Sequence, residues 1–242
     1  MYKPKFFLES IVPIVYIVFV VFLITGRDSL AYSVSSLLSP AIALLYFTLV
    51  KKKTISVSLF LIFFSVSDLM VLFDDHIPYK INYFVGNSLY VLAYTSLLFK
   101  FLTKSYVEYS LKNFKIHIII LTVLNVYIVY VLQDSIARDR VPTPSEYIME
   151  LTYNIVMLIL LSLSLLNYFY RDDKKSLLLF IGSLCIVFGE VLGIAYLYMA
   201  NMANEGVFNF LSTTLYLIAF CFFYWQSKLT FDMSNTFVIE EV

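Results

Sequence analysis

Lys51–Phe73, KKKTISVSLFLIFFSVSDLMVLF, decides how this chain is read. Three lysines lead into an apolar run of about twenty residues, the length of helix that crosses a bilayer. One carboxylate, Asp68, stands inside that run. Lys174–Tyr198, KKSLLLFIGSLCIVFGEVLGIAYLY, follows the same plan with Glu190 in the equivalent place. A carboxylate is costly to place in hydrocarbon, so an acid inside a membrane segment points to function by default.

The composition around these stretches agrees with them. Of the 242 residues 61% are hydrophobic and only 14% charged, where a soluble domain keeps roughly a quarter of its residues charged. The predicted fold class is all-α, a polytopic membrane helical bundle forming a single integral membrane domain. Apolar runs predict eight transmembrane helices, at 8–25, 31–50, 54–73, 81–102, 115–132, 147–170, 176–199 and 207–227. The longest predicted external loop is QDSIARDRVPTPSEY, residues 133–147, with two prolines and mixed charge. MYKPKFFLES at the N-terminus is basic and runs into an apolar stretch without an A-x-A cleavage site, which predicts an uncleaved first span. The formal net charge is zero, so no basic surplus draws the chain to nucleic acid. Cys185 and Cys221 lie within apolar runs without metal-ligand spacing and read as small hydrophobes.

Orientation follows from lysine and arginine. Thirteen of them fall on one side of the predicted spans, and only Arg27, Lys80, Arg138 and Arg140 on the other. Both termini are therefore expected in the cytoplasm, with the protein in the cell membrane. Asp68 lies 15 residues beyond Lys53, about 22 Å along a helix, which places the acids in the outer part of the membrane.

An internal repeat is also legible. Glu190 follows Asp68 by 122 residues, and at the same offset Lys52-Lys53 answers to Lys174-Lys175, Asn82 to Asn204, Asn87 to Asn209 and Tyr94 to Tyr216. Two four-helix halves in the same orientation are expected, about 1–104 and 115–228, with a site at their interface.

The candidate catalytic residues are Asp68 and Glu190. Ser65 shares a helical face with Asp68, and Ser183 with Glu190, while Asn87 and Tyr94 form one stripe on span four and Asn209 and Tyr216 its counterpart on span eight. These six are the candidate substrate-binding residues. Gly182, Gly189 and Gly193 allow close helix approach. The competing reading is that each acid merely fixes packing through an Asn or Tyr on the next helix. Asp74-Asp75-His76 is adjacent on one loop and does not enclose an ion. No HExxH, GxSxG or glycine-rich phosphate loop occurs.

The layout resembles the YhhN family of eight-span membrane proteins, which includes lysoplasmalogenases. That family carries Lys-Pro in span two, a Ser-x-x-Gly-Asp-like motif in span three, Gly-x3-Phe-x3-His in span four and Gly-Ala-x2-Phe-x2-Ser-Asp in span seven. Ser39-Pro40, Ser65-Val66-Ser67-Asp68, then Gly86, Tyr90 and Tyr94, and finally Gly182-Ser183 with Gly189-Glu190 stand at these places here. The lysine is Ser39, the histidine Tyr94 and the span-seven aspartate Glu190. The resemblance implies hydrolysis of the vinyl ether bond of a lysophospholipid, with no metal or organic cofactor. The chemistry needs a carboxylic acid that protonates carbon and a second carboxylate that stabilises the cation and orients water. Burial in low dielectric disfavours the charged form of a carboxyl, which suits such an acid. A proton-coupled carrier and a non-catalytic lipid-binding sensor are the alternatives. Oligomeric state is not legible.

Overall fold

The computed structural model describes residues 3–101, 104–139, 143–198, 205–230 and 238–239. Within these, the helices are α1 (Lys3–Ile24), α2 (Asp28–Ser35), α3 (Leu38–Leu49), α4 (Ile55–Met70), α5 (Tyr79–Leu98), α6 (Lys104–Asn113), α7 (Lys115–Asp139), α8 (Pro144–Arg171), α9 (Lys174–Tyr198) and α10 (Glu205–Lys228). A two-residue antiparallel pair, β1 (Leu229–Thr230) with β2 (Val238–Ile239), is the one strand pairing among the described residues. Six stretches are long and apolar enough to cross a membrane: Asp28–Leu49, Ile55–Asp74, Lys115–Ile136, Pro144–Arg171, Lys174–Ala195 and Gly206–Lys228. Tyr79–Phe101 with Tyr106–Asn113 makes a seventh if that bent pair is one span, and Leu8–Ile24 is a shorter apolar helix.

Two boundaries differ from the sequence reading. Residues 133–147 are not a long loop: α7 continues to Asp139 and α8 begins at Pro144. No proline or glycine interrupts the sequence of α7 up to Asp139, and Thr143 starts α8 firmly. Its side chain takes the Glu146 backbone N–H while the Glu146 carboxylate takes the Thr143 N–H, with Pro144 in the first helical position. The stretch between spans four and five is also not a plain connector but the helix α6.

The predicted span at 31–50 is broken between α2 and α3. Pro40 has no N–H to give the Ser36 carbonyl four residues back, and its ring clashes there. Ser36 and Leu37 instead donate backward to Tyr32 and Val34, and Ala41 resumes the ladder on Leu37.

The packing makes a closed ring. Going round it, α3 touches α4, α4 touches α5, α5 touches α8, α8 touches α9, α9 touches α10, and α10 returns to α3. Outside the ring, α1 packs on α3 and α7 packs on α8. Hydroxyls and amides stitch the outer helices on: Tyr16 shares a 2.7 Å hydrogen bond with Thr214, and Asn125 donates to Ser162 at 2.8 Å.

One half of the ring's interior is solid. Phe60, Phe64, Phe220 and Phe223 form an aromatic plug, with Phe60 edge-on to Phe223 at 5.2 Å and Phe64 edge-on to Phe220 at 4.9 Å. Edge-to-face pairs of this kind add to the packing of the ring area they bury. Gly182 makes room for the plug: a Cβ there would stand 2.5 Å from the Phe223 ring.

Candidate functional site in the helix ring

Above the plug the ring encloses a cavity of about 610 Å³. Every helix of the ring contributes to it. Ser39 comes from α3, Phe64 and Asp68 from α4, Asn87 and Tyr90 from α5, Tyr153 from α8, Glu190 from α9, and Asn209 and Tyr216 from α10. Tyr32, Ser35 and Ser36 of the broken segment also face it. Tyr79, more than half exposed, lines the cavity at the start of α5, so the space reaches the surface there.

Both acids face this one cavity, and each is held by hydroxyl donors. Asp68 accepts from Tyr90 at 2.5 Å on Oδ1 and from Ser39 on Oδ2. Ser39 stands in the first turn of α3, just past the break between α2 and α3. Glu190 accepts on Oε1 from Tyr94 at 2.7 Å and from Tyr153. The Tyr216 hydroxyl comes to the same carboxyl. Tyr94 and Tyr153 lie 3.4 Å apart at their oxygens, with rings edge-on at 5.6 Å. Buried polar groups require partners in low dielectric, and here phenols supply them.

No positive charge offsets the acids: among the described residues lining the cavity none is Lys, Arg or His. Among the described residues no cluster of three His, Cys, Asp or Glu side chains is placed to hold a metal ion. Asp74 instead accepts from Asn82 at 2.6 Å. The side chain of Asp75 and all of Asn204 lie outside the described residues.

Most sequence candidates converge. Asp68, Glu190, Asn87, Asn209 and Tyr216 line the cavity, and Tyr94 reaches it through its bond to Glu190. Asn87 donates to the Tyr83 carbonyl at 2.8 Å. Asn209 is 6% exposed, takes a bond from Thr213 on its oxygen, and has a side-chain nitrogen without a protein partner.

Two candidates are not brought to the cavity. Ser65 is buried with no partner for its hydroxyl, and Ser183 donates to the Leu179 carbonyl of its own helix at 2.9 Å. Both lie on the plug side of their acids, Ser65 by one turn and Ser183 by two, where aromatic rings fill the interior. Ser39, Tyr90, Tyr153, Tyr83 and Glu150 belong to the site and were not candidates. Ser39 and Tyr90 stand at motif positions of the resemblance, which held a signal for two of them. Tyr153 carries none by itself in a chain with 20 tyrosines, though Glu150 and Tyr153 are three apart on one helical face.

Comparison with known protein families, curated proteins and solved structures finds no match to this chain.

Proposed function

We propose that this chain is a membrane hydrolase of the lysoplasmalogenase type, acting on the vinyl ether bond of single-chain ether lysophospholipids. The observation that carries the reading is the meeting of Asp68 and Glu190 in one amphipathic cavity, each already oriented by hydroxyl donors. With it goes an eight-crossing topology in two parallel halves, both termini cytoplasmic. The contact pattern supports the halves. Adding the 122-residue offset turns α3, α4 and α5 into α8, α9 and α10, and turns the α10–α3 contact into the α5–α8 contact. At residue level, Ser67 meets Tyr90 on α4 and α5, and Gly189 meets Ser212, at the same offset, on α9 and α10.

The two roles are divided between the acids by assignment. Asp68, which accepts on both oxygens, is taken as the carboxylate that faces the cation. Glu190, where Tyr94 and Tyr153 both bond Oε1, is taken as the acid, with its proton on Oε2. Glu190 gives that proton to the vinyl carbon remote from oxygen, and the double-bond electrons form the new C–H bond. The oxocarbenium ion left behind is stabilised by the Asp68 carboxylate, which also orients water and takes its proton as the C–O bond forms. The hemiacetal then collapses: its C–O bond to glycerol breaks as Asp68 returns its proton to the leaving oxygen, Glu190 takes the hydroxyl proton, and a fatty aldehyde and a glycerophospho-alcohol leave with both carboxyls restored. The reaction has the two-carboxyl division of labour of glycoside hydrolysis.

The test is direct. Purified protein in mild detergent is incubated with a lysoplasmalogen, and free aldehyde is measured against Asp68→Asn and Glu190→Gln. Absence of aldehyde from folded wild type, from mildly acidic to mildly alkaline pH, sinks the reading. So does hydrolysis that survives both substitutions. A second reading is favoured by the pseudo-twofold ring with acids at its centre, the arrangement of a proton-coupled carrier. That reading requires flux driven by a pH gradient and no product.

A further inference from the structure

A second charged place lies at the other end of α5 from the cavity. Lys100 stands 21 residues after Tyr79, about 30 Å along a helix axis, the thickness of a bilayer's apolar core. It sits half-buried in the 3₁₀ turn Phe99–Phe101. Arg171, at the end of α8, and Lys175, in the first turn of α9, are within electrostatic reach of it and of each other. Three elements thus bring three cations together. The acid beside them, Asp173, is turned to its own helix, where its Oδ1 takes the Ser176 backbone N–H at 2.6 Å. Lys175 donates to the Leu229 carbonyl at 3.3 Å, and among the described residues no carboxylate forms an ion pair with any of the three. Lys228 shows the contrast: it pairs with Glu9 at 3.9 Å and lies over the Tyr224 ring. Like charges held together cost energy until an anion comes between them.

We infer that Lys100, Arg171 and Lys175 form a site for the phosphate of an anionic phospholipid in the leaflet where α8 ends. Basic pockets between membrane helices hold such headgroups, and ammonium and guanidinium groups both give charge-assisted hydrogen bonds to phosphate oxygens. The aromatic residues beside the cluster set its depth. Tyr170, next to Arg171, packs edge-on to Tyr106 of α6 at 5.6 Å and against Tyr109 at 4.8 Å, and tyrosines gather at the level of the headgroups. Phe99 and Phe169 are exposed at the same level and offer acyl chains an apolar surface, which a soluble anion does not need. The packing of a helix pair does not call for the cluster. At the 122-residue offset Lys53 answers to Lys175, but Leu49 stands for Arg171 and Phe222 for Lys100, and Lys51, Lys52 and Lys53 are simply exposed. The site is independent of the acids in the ring and of the reaction proposed for them.

The experiment titrates the full chain, in a neutral mild detergent, with phosphatidylglycerol and with phosphatidylcholine of the same acyl chains, and counts bound lipid by native mass spectrometry. Phosphatidylglycerol is expected to bind about tenfold more tightly. Lys100→Gln, Arg171→Gln and Lys175→Gln together remove that preference. Arg171→Gln alone, at an exposed position where folding is not at stake, removes part of it. The control takes as many charges from the first half, as Lys51→Gln, Lys52→Gln and Lys53→Gln, and keeps the preference. Phosphatidylglycerol also raises the unfolding midpoint of wild type and leaves that of the first triple variant where it was. Equal affinities for the two lipids in wild type overturn the site. So does a preference that survives the first triple variant, or one that falls as far in the control. Inorganic phosphate that displaces the lipid at millimolar concentration overturns the lipid assignment in favour of a soluble anion.

Discussion

Replacing Gly182 by alanine loads the α9–α10 contact at a place where the interior cannot give way. The added Cβ would stand 2.5, 2.9 and 3.1 Å from three atoms of the Phe223 ring. Ordinary contact begins near 3.4 Å, so ring and helix must part by about 1 Å. Phe223 is fully buried and edge-on to Phe60, leaving it no free direction. Overpacking of this kind costs about 1–3 kcal/mol. Better helix propensity of alanine over glycine returns up to about 1 kcal/mol. With both terms near the middle of their ranges, the expected net loss is about 1 kcal/mol. Gly193→Ala is the internal control: its Cβ would meet only the Ser212 hydroxyl at 3.5 Å, and it is expected to be neutral or mildly stabilising. Reversible unfolding in mixed micelles, titrated with a denaturing detergent, measures both. Phe223→Leu relieves the clash, so the Gly182→Ala penalty shrinks in that background, a coupling that a double-mutant cycle reads. Wild-type stability for Gly182→Ala, or the same penalty with and without Phe223, refutes the tight crossing.

On the hydrolase reading, Asp68→Asn and Glu190→Gln each lower aldehyde formation by about 10²–10⁴-fold, the scale of a general acid or base, with unfolding midpoints near wild type. Tyr153→Phe removes one of the phenols on Glu190 and keeps the ring. Bonds to charged groups are worth about 1.5–3 kcal/mol, and with Tyr94 still in place a loss near the lower end, about tenfold in kcat, is expected. An unchanged rate would show that Tyr153 only packs. In a background with Cys185 and Cys221 replaced by alanine, Asn87→Cys reacts with a water-borne thiol reagent and Phe60→Cys does not; equal labelling contradicts the division into open cavity and solid plug.

Both acids could be read from the sequence because hydrocarbon makes every charge conspicuous. The same physics hid most of their partners. A phenol is half apolar and is at home in a membrane helix, so Tyr153 could not be told from lipid-facing tyrosines before α5 and α8 were seen to touch. Asn87 and Asn209 stood out through their shared offset, and the fold brings both to the cavity. Ser65 and Ser183 were placed by helical face alone. A face gives the direction of a side chain around the axis but not the depth at which the plug ends the open space. The extension of α7 to Asp139 was masked by polar residues that suit a loop or an exposed helix equally well. Pro40 was legible as a motif residue; that Ser39 beside it meets Asp68 needed the packed neighbours.

Glu190 ties three neighbouring helices to its own, and that has a consequence for how the molecule is made. Its phenols come from three different helices: Tyr94 from α5, Tyr153 from α8 and Tyr216 from α10. The carboxyl they share arrives with α9, after the first two have been synthesised and before the third. A chain that stops short of residue 190 would hold Tyr94 and Tyr153 without the carboxyl that both bond in the whole protein, leaving polar groups for which hydrocarbon offers no partner. Glu190 thereby also marks the point in synthesis at which a carboxyl first joins the two phenols already made.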